Sequence, residues 1–311
     1  MKKISIVTGC YNEEENIKNW YEQVSYEMQK FENYDYELIV IDNCSEDKTV
    51  EILRELVKKD NKLKVIVNSK NFGIARSPFY GMQQASGDAM IYLASDLQDP
   101  PSLIPELIKK WEEGHKIVIG EKLSSKESKL KWYLRQCFYM LMKFIEDGEN
   151  QVLSNFTGYG IYDKDIVKLM REYDNPNPYI KNFISEIGFT PAKVPFKQAK
   201  RQAGKTKHTF SILLDCLFSV LTTSSAFPIK FMVLSGMILS ALSFLTGLIY
   251  LVYKLTHWHA FHLGIAPLAI GVFLILSFQT LFIGLIGEYV LSIYKRVDKN
   301  PLVIEKERIN F

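Results

Sequence analysis

No two of the four cysteines, Cys10, Cys44, Cys137 and Cys216, stand in Cys-x-x-Cys spacing. That argues against a structural zinc site or a disulfide framework, and for a reducing compartment. An excess of one sign of charge is also nearly lacking. A net charge of +3 is too small to indicate a nucleic-acid partner. The first residues, MKKISIVTGCY, have too short an apolar run for a secretory signal with a cleavage site, and they read as a buried strand. Charge of either sign nearly vanishes over 231–290, whereas residues 1–226 have the mixed composition of a soluble domain. A chain of 311 residues therefore holds one large domain of roughly 200 residues and an appendage.

The first half alternates apolar runs with amphipathic ones. Strands are predicted at 4–11, 36–43, 63–69, 89–96 and 115–122, and helices at 14–30, 47–59, 74–85 and 101–111. Pro100-Pro101 opens the last of these, since proline suits a first helical turn. Such alternation predicts an α/β domain whose mainly parallel sheet is covered on both faces. Ligands of these sheets bind beyond the carboxyl ends of the strands. Those ends carry Tyr11-Asn12-Glu13, Asp42-Asn43 and Asp96-Leu97-Gln98-Asp99. Further on, 124–150 reads as helical, 157–164 as strand and turn, and 165–173 as a short helix.

The run 193–207, KVPFKQAKRQAGKTK, is rich in Lys and Arg and has no acid. Its neighbour, 208–228, is an amphipathic juxtamembrane candidate. Two uncharged stretches follow, about 231–253 and 263–287; ~20 apolar residues suffice to cross a bilayer. The short connection, 254–262, makes them a transmembrane hairpin within 229–290, followed by a tail, 291–311. Lys193–Lys207, Lys230, Lys295 and Arg296 lie on the side of the hairpin ends, against Lys254 alone in the connecting loop. The positive-inside rule then puts the large domain, 1–207, and the tail in the cytoplasm of a multi-pass inner-membrane protein. Gly236, Gly247, Gly271, Gly284 and Gly287 are small enough for lateral packing of spans, so a homo-oligomer is open. His257, His259 and His262 read as a wet interfacial loop, not as metal ligands.

Asp96 ends a strand and opens Asp-Leu-Gln-Asp-Pro-Pro. A carboxylate there could hold a hard divalent cation, magnesium or manganese, against a nucleotide diphosphate and so stabilise a departing diphosphate. The alternative is a helix cap, which is the reading taken for Asp99. Asp163 reads as the start of the helix after it.

In this context the sequence resembles glycosyltransferase family 2, and within it the polyprenyl-phosphate glycosyltransferases, of the dolichol-phosphate mannose synthase-like type. The residues that carry the resemblance are Tyr11-Asn12-Glu13-Glu14, Asp42-Asn43-Cys44-Ser45-Glu46-Asp47, Asn71-Phe72-Gly73, Gly81, Ala85-Ser86-Gly87-Asp88, Asp96 to Pro101, Arg201 to Lys207 and Ile286-Gly287-Glu288-Tyr289. They run in family order along nearly the whole chain. The resemblance implies a GT-A type nucleotide-sugar-binding domain. It implies that Tyr11, Asn12, Glu13, Asp42, Asn43 and Lys122 hold the nucleotide, and that Asp96 and Gln98 hold Mg2+ or Mn2+. Arg201 and Lys207 would grip phosphates, a task suited to a bidentate guanidinium and a mobile ammonium. The implied partners are a nucleotide sugar, a polyprenyl phosphate acceptor and the membrane.

The chain departs from the family pattern at three positions. Ala94 stands where the first aspartate of Asp-x-Asp is usual, Asn43 replaces the second of an Asp-Asp pair, and Lys122 stands in place of an arginine. No general base is named, because an acceptor phosphate is itself a nucleophile. The expected reaction is one direct displacement with inversion. A polymerising synthase fits less well, since two spans are few for a channel and no Gln-x-x-Arg-Trp motif occurs. A non-catalytic sugar-nucleotide-binding scaffold is the remaining alternative.

Overall fold

The computed structural model describes residues 1–122, 156–176, 178–197, 265–297 and 301–311, with isolated positions between 235 and 256. These fall into two compact units. The larger holds an eight-stranded sheet: β1 (Lys2–Cys10), β2 (Tyr34–Asp42), β3 (Leu63–Asn68), β4 (Ala89–Tyr92), β5 (Ile117–Lys122), β6 (Phe156–Asp163), β7 (Ala192–Phe196) and β8 (Glu305–Ile309). Their order across the sheet is β7-β5-β6-β4-β1-β2-β3-β8.

Alternation of side chains along the strands builds two cores. Ile4, Ile6, Leu38, Val40, Val65 and Ile91 face one layer, which is closed by Trp20 and Val24 of α1 (Ile17–Gln29), Leu53 of α2 (Thr49–Val57) and Leu107 of α4 (Ile104–Glu112). Val7, Ile39, Met90 and Ile119 face the other. There they meet Phe79 and Met82 of α3 (Gly73–Gln83), Ile166 and Met170 of α5 (Lys164–Glu172), and Phe183 of α6 (Ile180–Glu186). A short 3-10 turn, Pro101–Leu103, leads into α4. Contact between α3 and the sheet is close: a Cβ on Gly9 would lie 2.9 Å from Pro78 Cγ.

The sheet is mixed. Pairs β1–β2, β1–β4, β2–β3 and β5–β7 are parallel, while β6 runs antiparallel between β4 and β5, and β8 runs antiparallel to β3. The chain builds outward from β1 through β2 and β3, then returns to place β4 on the other side of β1. The connection reverses between β1 and β4, and that is where an open α/β sheet leaves a crevice for ligand.

The segment 193–207, read as a basic surface run, contributes Lys193 to Phe196 to the edge strand β7, with Lys193 paired to Glu121 at 2.7 Å. The segment 291–311, read as a tail, continues a helix to Val297 and then returns as β8 on the edge of β3. Arg76 donates to Leu302 O and Pro301 O, Tyr80 to Glu305, and Arg54 pairs with Glu307. Both sheet edges are poor templates for further pairing, β7 because of Pro195 and β8 because of its charges.

The second unit contains α7 (Ile265–Val297). Among the described residues no helix is long and apolar enough to cross a membrane. Of the two expected spans, 231–253 has only isolated described positions, and 263–287 overlaps α7, whose side chains are described only in part. The juxtamembrane segment 208–228 lies outside the described residues.

Candidate functional site

Because β5 runs in the direction of β1, β2 and β4, the carboxyl ends of all four reach one edge of the sheet, and β6 enters there. Adjacent strands are ~4.8 Å apart, so five strands from β5 to β2 spread the site over roughly 20 Å. Along it stand Lys122, Thr157, Asp96 with Gln98, Tyr11 to Glu13, and Asp42 with Asn43. Tyr11 and Asp96 flank the crevice at the reversal point. A separate cleft of about 790 Å³, lined by Met1, Tyr34 and Tyr36 among others, lies by the amino ends of β1 and β2, away from these groups.

Three loops leave this edge, and each contains a non-glycine residue in the left-handed region: Asn12 (φ 52), Cys44 (φ 65) and Leu97 (φ 54). Asparagine tolerates that conformation; for leucine it costs ~1–2 kcal/mol, which the surroundings must offset. Strain of this kind gathers at binding and catalytic loops. Gly158, at the start of β6, has φ 103, and a Cβ there would crowd Tyr92 and Ile180 at 3.3 Å, so glycine serves both backbone and space.

The first two loops are stapled together. Asn12 N donates to Ser45 Oγ at 2.8 Å and Glu46 N to Asn12 Oδ1 at 2.7 Å. Glu13 N donates to Thr49 Oγ1 at 2.9 Å, and Lys48 N to Glu14 Oε2 at 3.0 Å. Glu13 is nearly buried and receives Asn16 Nδ2 at 2.6 Å while its carbonyl starts α1. Asp42 is wholly buried and takes both the amide and the hydroxyl of Ser45. Burial raises its carboxyl above the ordinary value, against the lowering effect of Ser45. The Cys10 thiol, 3.7 Å away, is pushed well up by burial and by the Asp42 charge, which makes it an inert core group.

Asn43 uses its amide entirely within the protein. Its Nδ2 donates to Asn71 Oδ1 (2.8 Å) and Gly73 O (3.2 Å), and its Oδ1 accepts from Asn68 Nδ2 (3.0 Å) and Phe72 N (2.9 Å). Expected as a nucleotide contact, it ties the end of β2 to the loop that starts α3. Asparagine suits this place because it both donates and accepts, which an ionised aspartate does not.

In the third loop, Leu93, Ser95, Leu97 and Asp99 are buried while Ala94, Asp96 and Gln98 are half-buried, so the last three share the more open side. Asp96 Oδ1 accepts from Gln98 N at 3.3 Å. Asp99, read from sequence as a helix cap, accepts instead from Thr157 Oγ1 at 3.0 Å, and the helical turn after it begins at Pro100 without a side-chain cap. Asp163 does start its helix, accepting from Asp165 N and also from Trp111 Nε1.

A divalent cation fits this loop in one way. Asp96 and Gln98 supply hard oxygen donors, and Ala94 supplies none. Among the described residues no cluster of three or more His, Cys, Asp or Glu could hold a metal ion. A two-donor set suits Mg2+ or Mn2+ only with substrate diphosphate and water completing the shell. Arg201 and Lys207 lie outside the described residues.

The sheet order, with β4 returning beside β1, and the acidic loop after β4 define an α/β, GT-A-like fold. Its likeness to glucosyl-3-phosphoglycerate synthase from Mycobacterium tuberculosis in complex with Mg2+ and UDP has a TM-score of 0.53 at 18% identity, over 72% of this chain and 79% of that one. The pattern of glycosyl transferase family 2 matches residues 5–193, and the chain belongs to that family; it is a glycosyltransferase. It is 32% identical to the uncharacterized glycosyltransferase YkcC of Bacillus subtilis (strain 168), over 96% of this chain and 92% of the relative. It is 28% identical to the prophage bactoprenol glucosyl transferase homolog of Escherichia coli (strain K12), over 98% of both.

Proposed function

We propose that this glycosyltransferase moves one sugar from a nucleotide sugar, a UDP-hexose or UDP-N-acetylhexosamine, to a polyprenyl phosphate such as undecaprenyl phosphate. The observation that carries the proposal is the pairing, in one chain, of two features. One is a crevice between β1 and β4 edged by Asp96 and Gln98. The other is an uncharged stretch of sequence, 265–287, in the part of the chain that follows.

The nucleotide lies against Tyr11, Asn12 and Glu13, with Lys122 reaching the diphosphate from β5, while Asp42, wholly buried, supports this wall through Ser45. Asn43 supports this wall from behind. Asp96 and Gln98 would hold Mg2+ or Mn2+ beside the diphosphate. When bound, that cation supplies positive charge to the departing diphosphate. Arg201 and Lys207 would grip phosphate. An oxygen of the lipid phosphate attacks the anomeric carbon and forms the new C–O bond. The bond from that carbon to the diphosphate breaks, and the nucleoside diphosphate leaves with the electron pair. One displacement inverts the anomeric configuration.

Membrane attachment rests on sequence and on surface. Residues 265–287 contain no charged side chain, and at 1.5 Å per residue such a stretch spans ~35 Å, enough for a hydrocarbon core of ~30 Å. Leu268, Ile275, Ile283 and Ile286 on α7 are all more than half exposed, an apolar surface that a soluble helix rarely shows. The excess of Lys and Arg at the ends of the two uncharged stretches supports a cytoplasmic sheet domain at the inner membrane. The test is a panel of nucleotide sugars offered to the purified chain with undecaprenyl phosphate and Mg2+ or Mn2+. Glycolipid from one donor is expected. Binding of a donor by calorimetry with no turnover on any lipid phosphate would favour the scaffold reading instead.

A further inference from the structure

The turn that carries Asp96 and Gln98 leaves β4 at Tyr92, where β4 is still paired with Gly160 of β6. Beyond that point two hydrogen bonds brace the turn against β6. Thr157 Oγ1 donates to Asp99 Oδ2 at 3.0 Å, and the Tyr159 hydroxyl donates to Pro100 O at 2.8 Å. On the opposite flank Ser95 Oγ donates to Gly9 O of β1 at 3.2 Å. Between these anchors lies Leu97, 2% exposed and at φ 54.

A leucine stays in that backbone region only where its surroundings over-determine it. The consequence is local and chemical: Leu97 points inward, and its neighbours Asp96 and Gln98 are left on the open side. Thr157 differs from the other anchors in being exposed and outside both apolar cores. Its hydroxyl donates to Asp99 and accepts from Tyr159 N at 3.4 Å, so its contribution is directional hydrogen bonding.

We propose that Thr157 is a positioning residue for the cation loop, acting through Asp99 to hold Asp96 and Gln98 toward the diphosphate. The inference rests on the reading of those two side chains as cation ligands. Outer partners that orient metal ligands are worth about 10–100-fold in metal affinity or activity. A donor set as thin as one carboxylate and one amide leaves little to compensate for misorientation.

The experiment measures Mn2+ binding to the detergent-solubilised full chain by electron paramagnetic resonance, with UDP and, in parallel, GDP present. Thr157→Val removes the hydroxyl and keeps the volume; Thr157→Ser keeps the hydroxyl. Affinity for Mn2+ in the nucleotide complex should fall about 10-fold in Thr157→Val and stay within about twofold of wild type in Thr157→Ser. Thermal midpoints of wild type and Thr157→Ser should coincide, and that of Thr157→Val should fall by only a few degrees, from the loss of one donor to the buried Asp99 carboxylate. Equal affinity in Thr157→Val and wild type overturns the inference, as does equal loss in both variants. Failure of the wild type to take up Mn2+ with either nucleotide overturns the cation reading itself, and the inference with it.

Discussion

Asp96→Asn is expected to lower sugar transfer by about 10³-fold, or ~4 kcal/mol of transition-state stabilisation, with the protein still folded. Asp96 is the one carboxylate on the open side of its loop, since Ala94 offers nothing and Asp99 is turned to Thr157. An asparagine keeps an oxygen at Oδ1 to accept from Gln98 N, so the turn survives. What is lost is the negative charge that, on the proposed mechanism, would hold a cation beside the diphosphate. Steady-state transfer assays with thermal unfolding as the control separate the two effects. Near-normal turnover would remove Asp96 from the site.

The second large effect concerns stability, at the other end of the strands. Glu37 is 2% exposed. It receives Ser5 Oγ, Ser86 N and Ser86 Oγ, and pairs with Lys3 at 2.7 Å and Lys64 at 2.9 Å. Burial alone would raise its carboxyl, but the bonds from Lys3, Ser5, Lys64 and Ser86 outweigh it and bring the pKa down to about 2. This knot closes the Ser86-Gly87-Asp88 turn onto β1, with Gly87 N on Ser5 Oγ and Asp88 N on Lys3 O.

Glu37→Gln leaves two ammonium groups facing a neutral amide, and should destabilise the sheet domain by about 3 kcal/mol, the cost of breaking a buried pair from one side. The pH dependence has a definite sign. A carboxyl whose pKa is lowered by folding stabilises the fold above its unfolded value, 4.5, and loses that contribution as pH falls toward about 2. Lys3 and Lys64 are partly exposed, which screens the pairs, so the contribution is about 2 kcal/mol. In denaturant titrations the gap between wild type and Glu37→Gln should therefore narrow across that window. A gap that is unchanged at pH 3 would mean that packing, not charge, explains the loss.

Much of this architecture is legible in the sequence. Strands β1, β2 and β3 begin or end within two residues of the apolar runs that predict them, because runs such as ELIVID are buried on both faces. What escapes is what depends on distant partners. The segment EKERI has the composition of a solvated tail, and it becomes β8 through backbone pairing with β3, some 240 residues earlier. Lys193 to Phe196 are hidden in a basic run, and their strand state depends on β5. The expected strand 89–96 stops at Tyr92, since Leu93 to Asp96 turn away into the loop after β4.

The site divides in the same way. Position along the sheet edge follows from the strand ends, so sequence alone puts Tyr11, Asp42 and Asp96 at one edge of the sheet. Orientation does not follow. Asn43 looks like a ligand until its amide is found shared among Asn68, Asn71, Phe72 and Gly73. Asp99 looks like a cap until Thr157, 58 residues on, claims its carboxylate. Leucine and cysteine carry no local signal for the left-handed backbone seen at Leu97 and Cys44; asparagine at position 12 does.

The most direct test of lipid-linked transfer is the structure of the product. Purified chain in lipid nanodiscs, given undecaprenyl phosphate, Mn2+ and the donor selected from the panel, should yield a lipid carrying one sugar through a phosphodiester. Nuclear magnetic resonance should find the anomeric configuration opposite to that of the donor, and mass spectrometry should find no second sugar after prolonged turnover. A retained configuration, a polymer, or sugar released only to water would contradict the account.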